Sequence, residues 1–408
     1  MAFSVFSRSR RSAEGGPDDP ATAAQRVTAD DVVLVYEAVL GRRPSPPEIA
    51  HQQANAASWR DLLVAVTQSD ERHAKAAADA VQAPDADTLA PGPANVVNVH
   101  TEELEPYGTP PGTWSADGVA VTGTRGWVFL GGGTNAVLDQ YRGTFVLPED
   151  FDARWAHAME VRRHGAEELG AAFAAMIVPD KLGVVGAHFP EALAGVTQAP
   201  AAVLASRPEL GLLYPVTELA AVPGGAYLRT DTHLTYAGNA ALAQAVGTVL
   251  GVTIDHQPER MNRYLTSGDL GSRYSPPIVE VVTAPHDFGK AELIASNRDE
   301  IAAVGAHVGS RQVLRNKQAA DHRTVVIFGD SYAFAAPHYH GLAWFMAQAF
   351  REVHCLWVPF GWDPAYAAAA GADVVICQGA ERFAVRPPEP QVDFQSLEAQ
   401  ALSRADAA

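Results

Sequence analysis

The sequence predicts an α/β domain with a mostly parallel sheet flanked by helices, preceded by a small all-helical domain. Apolar runs such as TVVIFGD and DVVICQG alternate with Ala-rich helical stretches, and this alternation is typical of a parallel sheet covered on both faces. Residues 27–80 instead carry apolar residues at helical spacing, including Val32, Val33 and Tyr36. A chain of 408 residues is long enough for one large core and a smaller one.

Changes in composition define the predicted boundaries. The segments are a disordered tail at 1–26, a helical module at 27–80, a linker at 81–106, the sheet domain at 107–395 and a tail at 396–408. Proline, alanine and acidic residues dominate the linker, and the prolines of GRRPSPPEI interrupt the helical module. Pro, Gly and Asn clusters over 251–321 do not follow the strand–helix alternation, so we interpret that stretch as an insertion, either a small subdomain or a lid.

The composition argues against several classes of function. A formal net charge of −17 repels phosphate backbones, so we expect no nucleic-acid partner. No run reaches the roughly 18–20 apolar residues that span a bilayer, and the first residues lack the apolar stretch of a signal peptide. We therefore expect a cytoplasmic protein. The two cysteines, Cys355 and Cys377, stand in apolar runs and are expected to pack in the core.

The strongest local signal for chemistry is Gly329-Asp330-Ser331, which follows the apolar run Thr324 to Phe328. A helix-capable segment begins near Pro337, so the serine is predicted at a tight turn between a strand and a helix. Such a turn exposes the serine Oγ beside backbone N–H groups that can stabilise an oxyanion, and Gly329 permits the turn. A serine in this position is also a common helix cap, and the neighbouring Tyr332 either donates to the oxyanion or packs.

A base for that serine is available in AYLRTDTHLTYAGNAALAQ, where a short strand is predicted to end at Asp231-Thr232-His233. A carboxylate two residues before a histidine can bond Nδ1 of the imidazole and leave Nε2 for the serine. The alternative is that Asp231 or Thr232 caps the following helix while His233 packs locally. The two motifs together predict a Ser-His-Asp site more specifically than either alone.

Three cationic side chains and a histidine pair are further candidates. Lys181 follows the strand-like run AAMIVPD and suits either a substrate contact or a structural ion pair. Arg382 follows DVVICQG, at the edge where parallel sheets bind ligands, and Arg273 lies in the predicted insertion. Both arginines are candidate substrate contacts or paired, solvated side chains. His338 and His340 have no acids or cysteines at ligand spacing, so we expect no metal site.

The Asp-x-His and GDS elements together resemble the SGNH-hydrolase superfamily, and within it the alginate O-acetyltransferase (AlgX/AlgJ-like) group. In that group the Asp-x-His element also precedes the serine. The resemblance extends over the sheet domain through five further blocks: GTRGWVFLGG (Gly123 to Gly132), YRG (Tyr141 to Gly143), VPDKLGVVGAHFPEAL (from Val178), SGDLG (Ser267 to Gly271) and GAERF (Gly379 to Phe383).

By this resemblance Ser331 is the nucleophile, His233 the general base and acid, and Asp231 the residue that orients the histidine. The implied activity is O-acyl transfer, with acetyl as the expected group, to a hydroxyl of a glycan or glycosylated precursor. The co-substrate is an acyl donor such as acetyl-CoA or another acyl carrier, and no bound cofactor is implied. Two alternatives remain open at this point, an SGNH-type carbohydrate esterase (deacetylase) and a non-catalytic glycan-binding or scaffold protein.

The helical module carries a resemblance of its own. The stretch from VYEAVLGRRPSPPEI to WRDLLVAVTQSDER resembles a small helical module of undetermined function that is often appended to bacterial surface and glycan-related proteins. The resemblance implies a glycan setting and no chemistry. A plain interaction domain that binds a protein partner through residues 27–80 is an equal alternative.

Overall fold

The computed structural model describes residues 27–40, 42–57, 61–62, 65–66, 69, 71, 110–193, 199–254, 261–274, 278, 280–285, 289–336 and 339–406. The chain divides into two compact units, Met1–Asp79 and Ala80–Ala408. The predicted tail at 1–26 and the predicted linker at 81–106 lie outside the described residues.

The first unit contains helices α1 (Ala29–Leu40) and α2 (Pro46–Asn55). Helix α2 begins after Ser45, because the Glu48 carboxylate accepts a hydrogen bond of 2.6 Å from the Ser45 N–H, as in a capping box. Val32 and Tyr36 of α1 are buried, as their helical spacing predicts.

The second unit begins with the hairpin β1–β2 and continues as alternating helices and strands. Its strands are β1 Ala120–Thr122, β2 Val128–Leu130, β3 Ala172–Val178, β4 Leu212–Leu213, β5 Met261–Thr266, β6 Glu280–Pro285, β7 Glu292–Ser296, β8 Arg311–Arg315, β9 Asp321–Gly329, β10 Ala335–Ala336, β11 Tyr339–His340, β12 Phe350–Trp357 and β13 Val374–Ala380. Its α-helices are α3 Val137–Arg142, α4 Phe151–Glu168, α5 Lys181–Val185, α6 Pro200–Ala205, α7 Val216–Ala220, α8 Tyr236–Leu250, α9 Gly268–Gly271, α10 Arg298–Ala303, α11 Leu342–Ala349, α12 Pro364–Ala370 and α13 Phe394–Asp406.

The central sheet has seven strands in the order β4-β3-β13-β9-β12-β8-β7. The strands from β4 to β12 are parallel, whereas β8 and β7 join antiparallel at one edge. Side chains along β9 alternate between two cores, because Val325 and Ile327 face one apolar cluster while Val326 and Phe328 face the other. The first cluster includes residues of α8 and α11, and the second includes residues of α4 and α12. The mostly parallel sheet flanked by helices is therefore as the sequence predicts.

The predicted insertion at 251–321 is wrong in part. Strands β7 and β8 lie inside it and form the antiparallel edge of the central sheet, while only the β5–β6 hairpin forms a sheet of its own. Every residue of β7 but one is exposed. The strand therefore lacks the buried apolar run that predicts the other strands from the sequence.

The predicted tail from residue 396 is also wrong, since α13 continues to Asp406. Phe394 and Ala401 of this helix are buried, and Glu398 accepts a hydrogen bond of 2.7 Å from Asn297 Nδ2. These contacts attach the helix to the edge of the sheet domain. Among the described helices none is long and apolar enough to cross a membrane.

Candidate active site

The carboxyl ends of the parallel strands bring several candidate residues to one edge of the sheet. Asp180 follows β3, Ser331 follows β9 and Arg382 follows β13, and β3, β13 and β9 are neighbours in the sheet. A cavity of about 570 Å³ opens at this edge, and its wall includes Ser331, His233, Asp231 and Arg382. This is the edge at which open parallel sheets form ligand sites.

The serine turn is fixed by the buried carboxylate of Asp330. Its Oδ1 accepts hydrogen bonds from Tyr332 N–H (3.0 Å) and Gln378 Nε2 (2.9 Å), and its Oδ2 accepts one from Ala380 N–H (2.6 Å). Position 329 requires glycine because neighbouring side chains lie close to its backbone. A Cβ there would lie 2.6 Å from both the Ala333 Cβ and the Gln378 Oε1. Asp330 is thus part of the turn's structure and holds Ser331 on the end of β9.

The segment after the serine differs from the prediction. The described residues on either side of Pro337 form the short strands β10 and β11, which pair antiparallel, and α11 begins only at Leu342. Helix α11 is attached to the serine turn, since Leu342 N–H bonds the Tyr332 carbonyl at 3.0 Å and Ala343 N–H bonds the Ala333 carbonyl at 2.8 Å. Gly341 allows this approach, because a Cβ there would lie 2.2 Å from the Phe334 carbonyl oxygen.

The Asp231 carboxylate bonds His233 as its spacing in the sequence predicts. Oδ1 lies 2.6 Å from Nδ1 of the imidazole and also accepts the His233 N–H at 2.9 Å. Because the imidazole bonds Asp231 through Nδ1, its Nε2 is the nitrogen that remains for proton exchange with a substrate or a nucleophile. The Nε2 atom is buried.

The ionisation of this pair follows from its burial and from the attraction between its members. Burial alone would lower the pKa of His233, but the carboxylate of Asp231 outweighs burial and raises that pKa above its ordinary value. Burial would likewise raise the pKa of Asp231, whereas the charge and hydrogen bonds of His233 hold it well below its usual range. At neutral pH Asp231 is therefore a carboxylate that can orient an imidazole and stabilise it when protonated.

The turn that carries this pair is not the predicted strand. Residues 229–233 are bends, closed by an isolated antiparallel bridge between Tyr227 and Leu234. Buried Glu280, at the start of β6, accepts hydrogen bonds from Arg229 N–H (3.0 Å), Thr230 N–H (2.7 Å) and Thr230 Oγ1 (2.7 Å). The Glu280 carboxylate thus accepts the backbone N–H groups that the carbonyls of a neighbouring strand would otherwise accept.

Asp269 of α9 also bonds the turn that carries Asp231 and His233. Its carboxylate accepts Thr232 N–H at 2.7 Å and Thr232 Oγ1 at 2.5 Å, while its own N–H donates to Asp231 Oδ2 at 3.0 Å. Potential ligand atoms of Asp231, His233 and Asp269 lie within 4.8 Å of one another, which would also suit a cation. The carboxylate oxygens already accept N–H and O–H groups, so the arrangement suits an oriented imidazole better than a metal.

Tyr332 connects the serine turn to the histidine turn. Its hydroxyl donates a hydrogen bond of 2.7 Å to the Thr232 carbonyl, and its ring lies 5.4 Å from that of His233. The hydroxyl and N–H of Tyr332 are therefore both engaged, and neither it nor Gly329 is among the described residues that line the cavity. Within the described chain the N–H of Ser331 has no hydrogen-bond acceptor, so this N–H, rather than Tyr332, is the candidate oxyanion donor.

Arg382 lines the cavity and is also paired. Its Nη1 donates to Asp180 Oδ1 at 2.7 Å, and both side chains are more than nine-tenths buried. Beside this pair, Glu381 accepts hydrogen bonds of 2.8 Å from the Tyr141 hydroxyl and the Asp180 N–H. Burial and the nearby charge of Asp180 raise the pKa of Glu381 to about 8. Burial also raises the pKa of Asp180, although the guanidinium of Arg382 opposes that rise, and Asp180 is the acid that bonds Arg382 directly.

The other two cationic candidates have structural contacts. Lys181 is buried, and its Nζ donates to the carbonyls of Val128 (2.7 Å) and Arg229 (3.0 Å), while burial lowers its pKa to about 8. Arg273 lies 2.5 Å from Asp117 and donates to the Asp269 carbonyl at 3.0 Å. Neither is among the described residues of the cavity wall. Lys181 instead links β2 to the start of the histidine turn, and Arg273 links the segment before β1 to α9.

The residues that sequence reasoning missed are Asp180, Glu280 and Asp269. An acid inside the apolar run PPIVEVV was the available signal for Glu280, because buried acids need partners. Of the histidine pair, His338 lies outside the described residues, and His340 is buried with its ring 4.6 Å from that of Trp344. Cys355 and Cys377 are buried and unbonded to each other.

Comparison with known proteins finds no family model and no curated protein that matches this chain. Among solved structures, the O-acetyltransferase domain of Pseudomonas putida AlgJ is similar at 16% identity over 69% of this chain and 98% of that chain, with a TM-score of 0.43. Bacillus cereus PatB1 with a sulfonyl adduct is similar at 12% identity over 68% of this chain and 97% of that chain (TM-score 0.42). Pseudomonas aeruginosa AlgX is similar at 14% identity over 70% and 66% of the two chains (TM-score 0.40).

Proposed function

We propose that this protein is an O-acyltransferase that moves an acyl group, with acetyl as the expected one, through Ser331 to a hydroxyl of a glycan or glycosylated precursor. The observation that carries the proposal is the 2.6 Å contact between Asp231 and His233 in a cavity that Ser331 also lines. An oriented, buried imidazole that lines the same cavity as a serine at a strand end supports nucleophilic acyl transfer.

The reaction has two half-steps. In the first, His233 takes the proton of Ser331 while Oγ bonds the acyl carbon of the donor, and the imidazolium then returns that proton to the leaving group as its bond to the acyl carbon breaks. In the second, His233 takes the proton of the acceptor hydroxyl, whose oxygen bonds the acyl carbon. The bond from the acyl carbon to Oγ then breaks, and Ser331 recovers its proton from the imidazolium. The N–H of Ser331 stabilises the oxyanion in both half-steps.

The donor is an acyl carrier such as acetyl-CoA, or another activated acyl group. In this proposal residues 27–80 bind a protein partner, since the catalytic candidates all belong to the second unit. The cytoplasmic location expected from the sequence stays a prediction.

Labelling with a fluorophosphonate probe, which reacts with activated serines, tests the assignment of the nucleophile. We expect the wild-type protein to be labelled and Ser331→Ala to be unlabelled. Ser206→Ala, which changes an exposed serine at the end of α6, should be labelled like the wild type. Absence of labelling in the folded wild-type protein would favour the non-catalytic glycan-binding or scaffold alternative.

Transfer and hydrolysis share the acyl-enzyme, so a second measurement separates them. The protein is given p-nitrophenyl acetate as donor with and without a glycan acceptor, and acetylated sugar is measured by mass spectrometry. Acetylated sugar that depends on Ser331 supports transfer. Release of acetate alone, at a rate that the acceptor does not change, would identify an esterase instead.

A further inference from the structure

Lys181 has no function in the proposed acyl-transfer chemistry, although it is buried beside the turn that carries Asp231 and His233. It is the first residue of α5, just after the end of β3. Its Nζ donates to two carbonyls of separate segments, that of Val128 in β2 (2.7 Å) and that of Arg229 at the start of the turn (3.0 Å). One side chain therefore joins the end of a central strand to both the hairpin and the histidine turn.

Both polar groups of the Arg229 backbone are bonded to buried side chains of opposite charge. Glu280 Oε2 accepts the N–H at 3.0 Å, and Lys181 Nζ donates to the carbonyl at 3.0 Å. The same carbonyl also accepts the Val128 N–H at 2.9 Å. Arg229 lies only two residues before Asp231, so the position of its backbone determines where the carboxylate that orients His233 can lie.

The ammonium of Lys181 is not part of an ion pair. Among the described residues no carboxylate lies within ion-pair distance of it, and its other neighbours include the rings of Trp127 and Phe129, whose centroids are 5.6 and 6.0 Å from Nζ. A buried charge without a counter-ion is costly, and an apolar side chain of similar size would avoid that cost. What the charge provides instead is two charge-assisted hydrogen bonds to carbonyls at defined positions.

The charge state of Lys181 depends on burial and on carboxylates at longer range. Burial lowers the pKa of Lys181 to about 8, although three carboxylates oppose that fall. These belong to three elements around the ammonium: Glu280 of β6, Asp231 of the histidine turn and Asp269 of α9. The guanidinium of Arg229 contacts the same indole as Lys181, 5.6 Å from the ring centroid of Trp127. Lys181 is therefore an ammonium near pH 7 and a neutral amine well above pH 8.

Loss of the Lys181 proton weakens the histidine turn in two ways. Hydrogen bonds from a charged donor are roughly twice as strong as those from a neutral one, so the neutral amine holds the Arg229 carbonyl less firmly. The carboxylates of the turn also repel each other, since burial and the charge of Asp231 raise the pKa of Asp269. The ammonium is a cation that offsets this repulsion, and the neutral amine is not.

We propose that Lys181 is a positioning residue: its ammonium holds the turn that carries Asp231 and His233, and loss of its proton loosens that turn and slows catalysis. This inference rests on the proposed function. The reaction is then limited on both sides of neutral pH, by protonation of His233 at low pH and by deprotonation of Lys181 at high pH. The expected dependence of the rate on pH is bell-shaped rather than a single rise.

The fall in kcat at high pH is the first test. Turnover of p-nitrophenyl acetate is measured from about pH 6 to 10, a range that includes the titration of a buried lysine, with Ser331→Ala as the blank for hydrolysis by hydroxide. We expect the wild-type kcat to fall above about pH 8, with the same midpoint as the titration of Lys181. NMR of protein with isotope-labelled lysine measures that titration, and Lys181→Met identifies the signal. The spectrum is simple because the sequence has only four lysines, Lys75, Lys181, Lys290 and Lys317.

Substitution of Lys181 should change both the rate and its dependence on pH. Lys181→Met removes the charge and should lower kcat about tenfold or more with less change in KM, because a misplaced base slows the chemical step. The fall in kcat above about pH 8 should then be absent. Lys181→Arg stays charged throughout this range, so it should recover part of kcat and also lack the fall. Lys317→Met makes the same change at an exposed lysine that pairs with Glu292, and it should keep the wild-type profile.

Glu381→Gln is a second control, because the pKa of Glu381 is also about 8. The substitution leaves a side chain that stays neutral at every pH, and the fall in kcat should remain. Loss of the fall in Glu381→Gln with retention in Lys181→Met would assign it to Glu381 and overturn the proposal. A wild-type kcat that stays constant while the Lys181 signal titrates would overturn it as well, without any substitution at Lys181.

NMR of the His233 imidazole in the Ser331→Ala protein separates failure of this proposal from failure of the proposed function, since the measurement needs no acyl transfer. The His233 signal, identified by its loss in Ser331→Ala/His233→Gln, should shift again as Lys181 loses its proton. Such a second shift, absent from Ser331→Ala/Lys181→Met, would support the positioning role even if the protein transfers no acyl group. A His233 signal that does not change during the titration of Lys181 would overturn the proposal even if the protein proves to be an acyltransferase.

Discussion

The hydroxyl of Tyr332 donates a 2.7 Å hydrogen bond to the carbonyl oxygen of Thr232, 100 positions earlier in the chain. This bond joins the residue after the candidate nucleophile to the residue before the candidate base. Both groups are buried, so the relative position of the two turns depends on it.

Tyr332→Phe should therefore lower both stability and the rate of serine labelling. Loss of the hydroxyl leaves the buried Thr232 carbonyl without this donor and should cost about 1–3 kcal/mol of unfolding free energy, measured by urea denaturation. Tyr274→Phe is the control, because it removes a similar bond, from the Tyr274 hydroxyl to the Thr113 carbonyl at 3.1 Å, outside the cavity wall. Equal labelling rates in the two variants would argue against a link between the turns.

Glu280→Gln should reduce turnover of a small acetyl ester more than it changes KM. The substitution keeps the shape of the side chain but replaces one of its two acceptor oxygens by an NH2 group. That group then faces a donor of residue 229 or of residue 230, at a cost of about 1–3 kcal/mol. The turn that carries Asp231 and His233 would loosen, and a misplaced base lowers kcat. Glu292→Gln, on the exposed strand β7, should leave kcat unchanged. An increase in KM alone in Glu280→Gln would place Glu280 in substrate binding instead.

The contact between Asp231 and His233 is predictable from sequence because residues two apart in a turn can bond without help from the rest of the fold. The place of Ser331 is predictable because an apolar strand leads into a Gly-Asp-Ser turn, and parallel strands bring such turns to one edge. The roles of Glu280 and Asp269 are not predictable, since their carboxylates reach the histidine turn from 51 and 37 positions away.

The errors in predicted secondary structure have the same origin. The run YLRTD has the composition of a strand, but the Glu280 carboxylate of β6 accepts its Arg229 and Thr230 N–H groups, and it forms bends instead. Arg382 follows a strand in either interpretation, and only the tertiary structure shows that Asp180 is its partner. Long-range polar contacts of this kind do not follow the spacing of a helix or a strand, so the periodicity of the sequence does not predict them.

Arg382→Gln should destabilise the protein by about 3–5 kcal/mol in urea denaturation, because it leaves the buried Asp180 carboxylate without its partner. Asp180→Asn/Arg382→Gln removes both charges and should recover much of that loss. A double variant as unstable as the sum of the two single variants would show that the pair is not coupled, contrary to its 2.7 Å geometry.

A protein that begins near residue 100 should remain folded and react with the fluorophosphonate probe at the full-length rate. The chain divides after Asp79, and all candidate catalytic residues belong to the second unit. Circular dichroism checks the fold and labelling checks the site. A folded but unreactive truncation would show that the helical module contributes to the site. The proposal that the second unit alone carries the catalytic residues would then be wrong.

The Asp231–His233 pair makes activity and stability respond to pH in opposite directions. Catalysis requires a neutral imidazole, and Asp231 raises the pKa of His233, so ester turnover should rise with a midpoint above the ordinary value of about 6.5. Stability has the reverse sign. A histidine whose pKa is higher in the folded state contributes stability that is fully present below about pH 6.5 and is lost as pH rises through the folded-state pKa.

Asp231→Asn tests both halves of this argument in one protein. Without the Asp231 carboxylate, burial and the charge of Arg382 lower the pKa of His233, and only the charge of Asp269 opposes them. Burial is the largest of these influences, so the pKa of His233 should fall below the ordinary value and the rise in turnover should move to lower pH. The rate itself should drop on the order of 10⁴-fold, as in well-studied triads, because the imidazole loses the partner that selects its tautomer. The stability conferred by the charged pair should disappear, so that urea denaturation of the variant no longer shows the decline above about pH 6.5. Near-normal turnover in Asp231→Asn, or a wild-type rate that is flat from about pH 5.5 to well above 7, would mean that another group is the base.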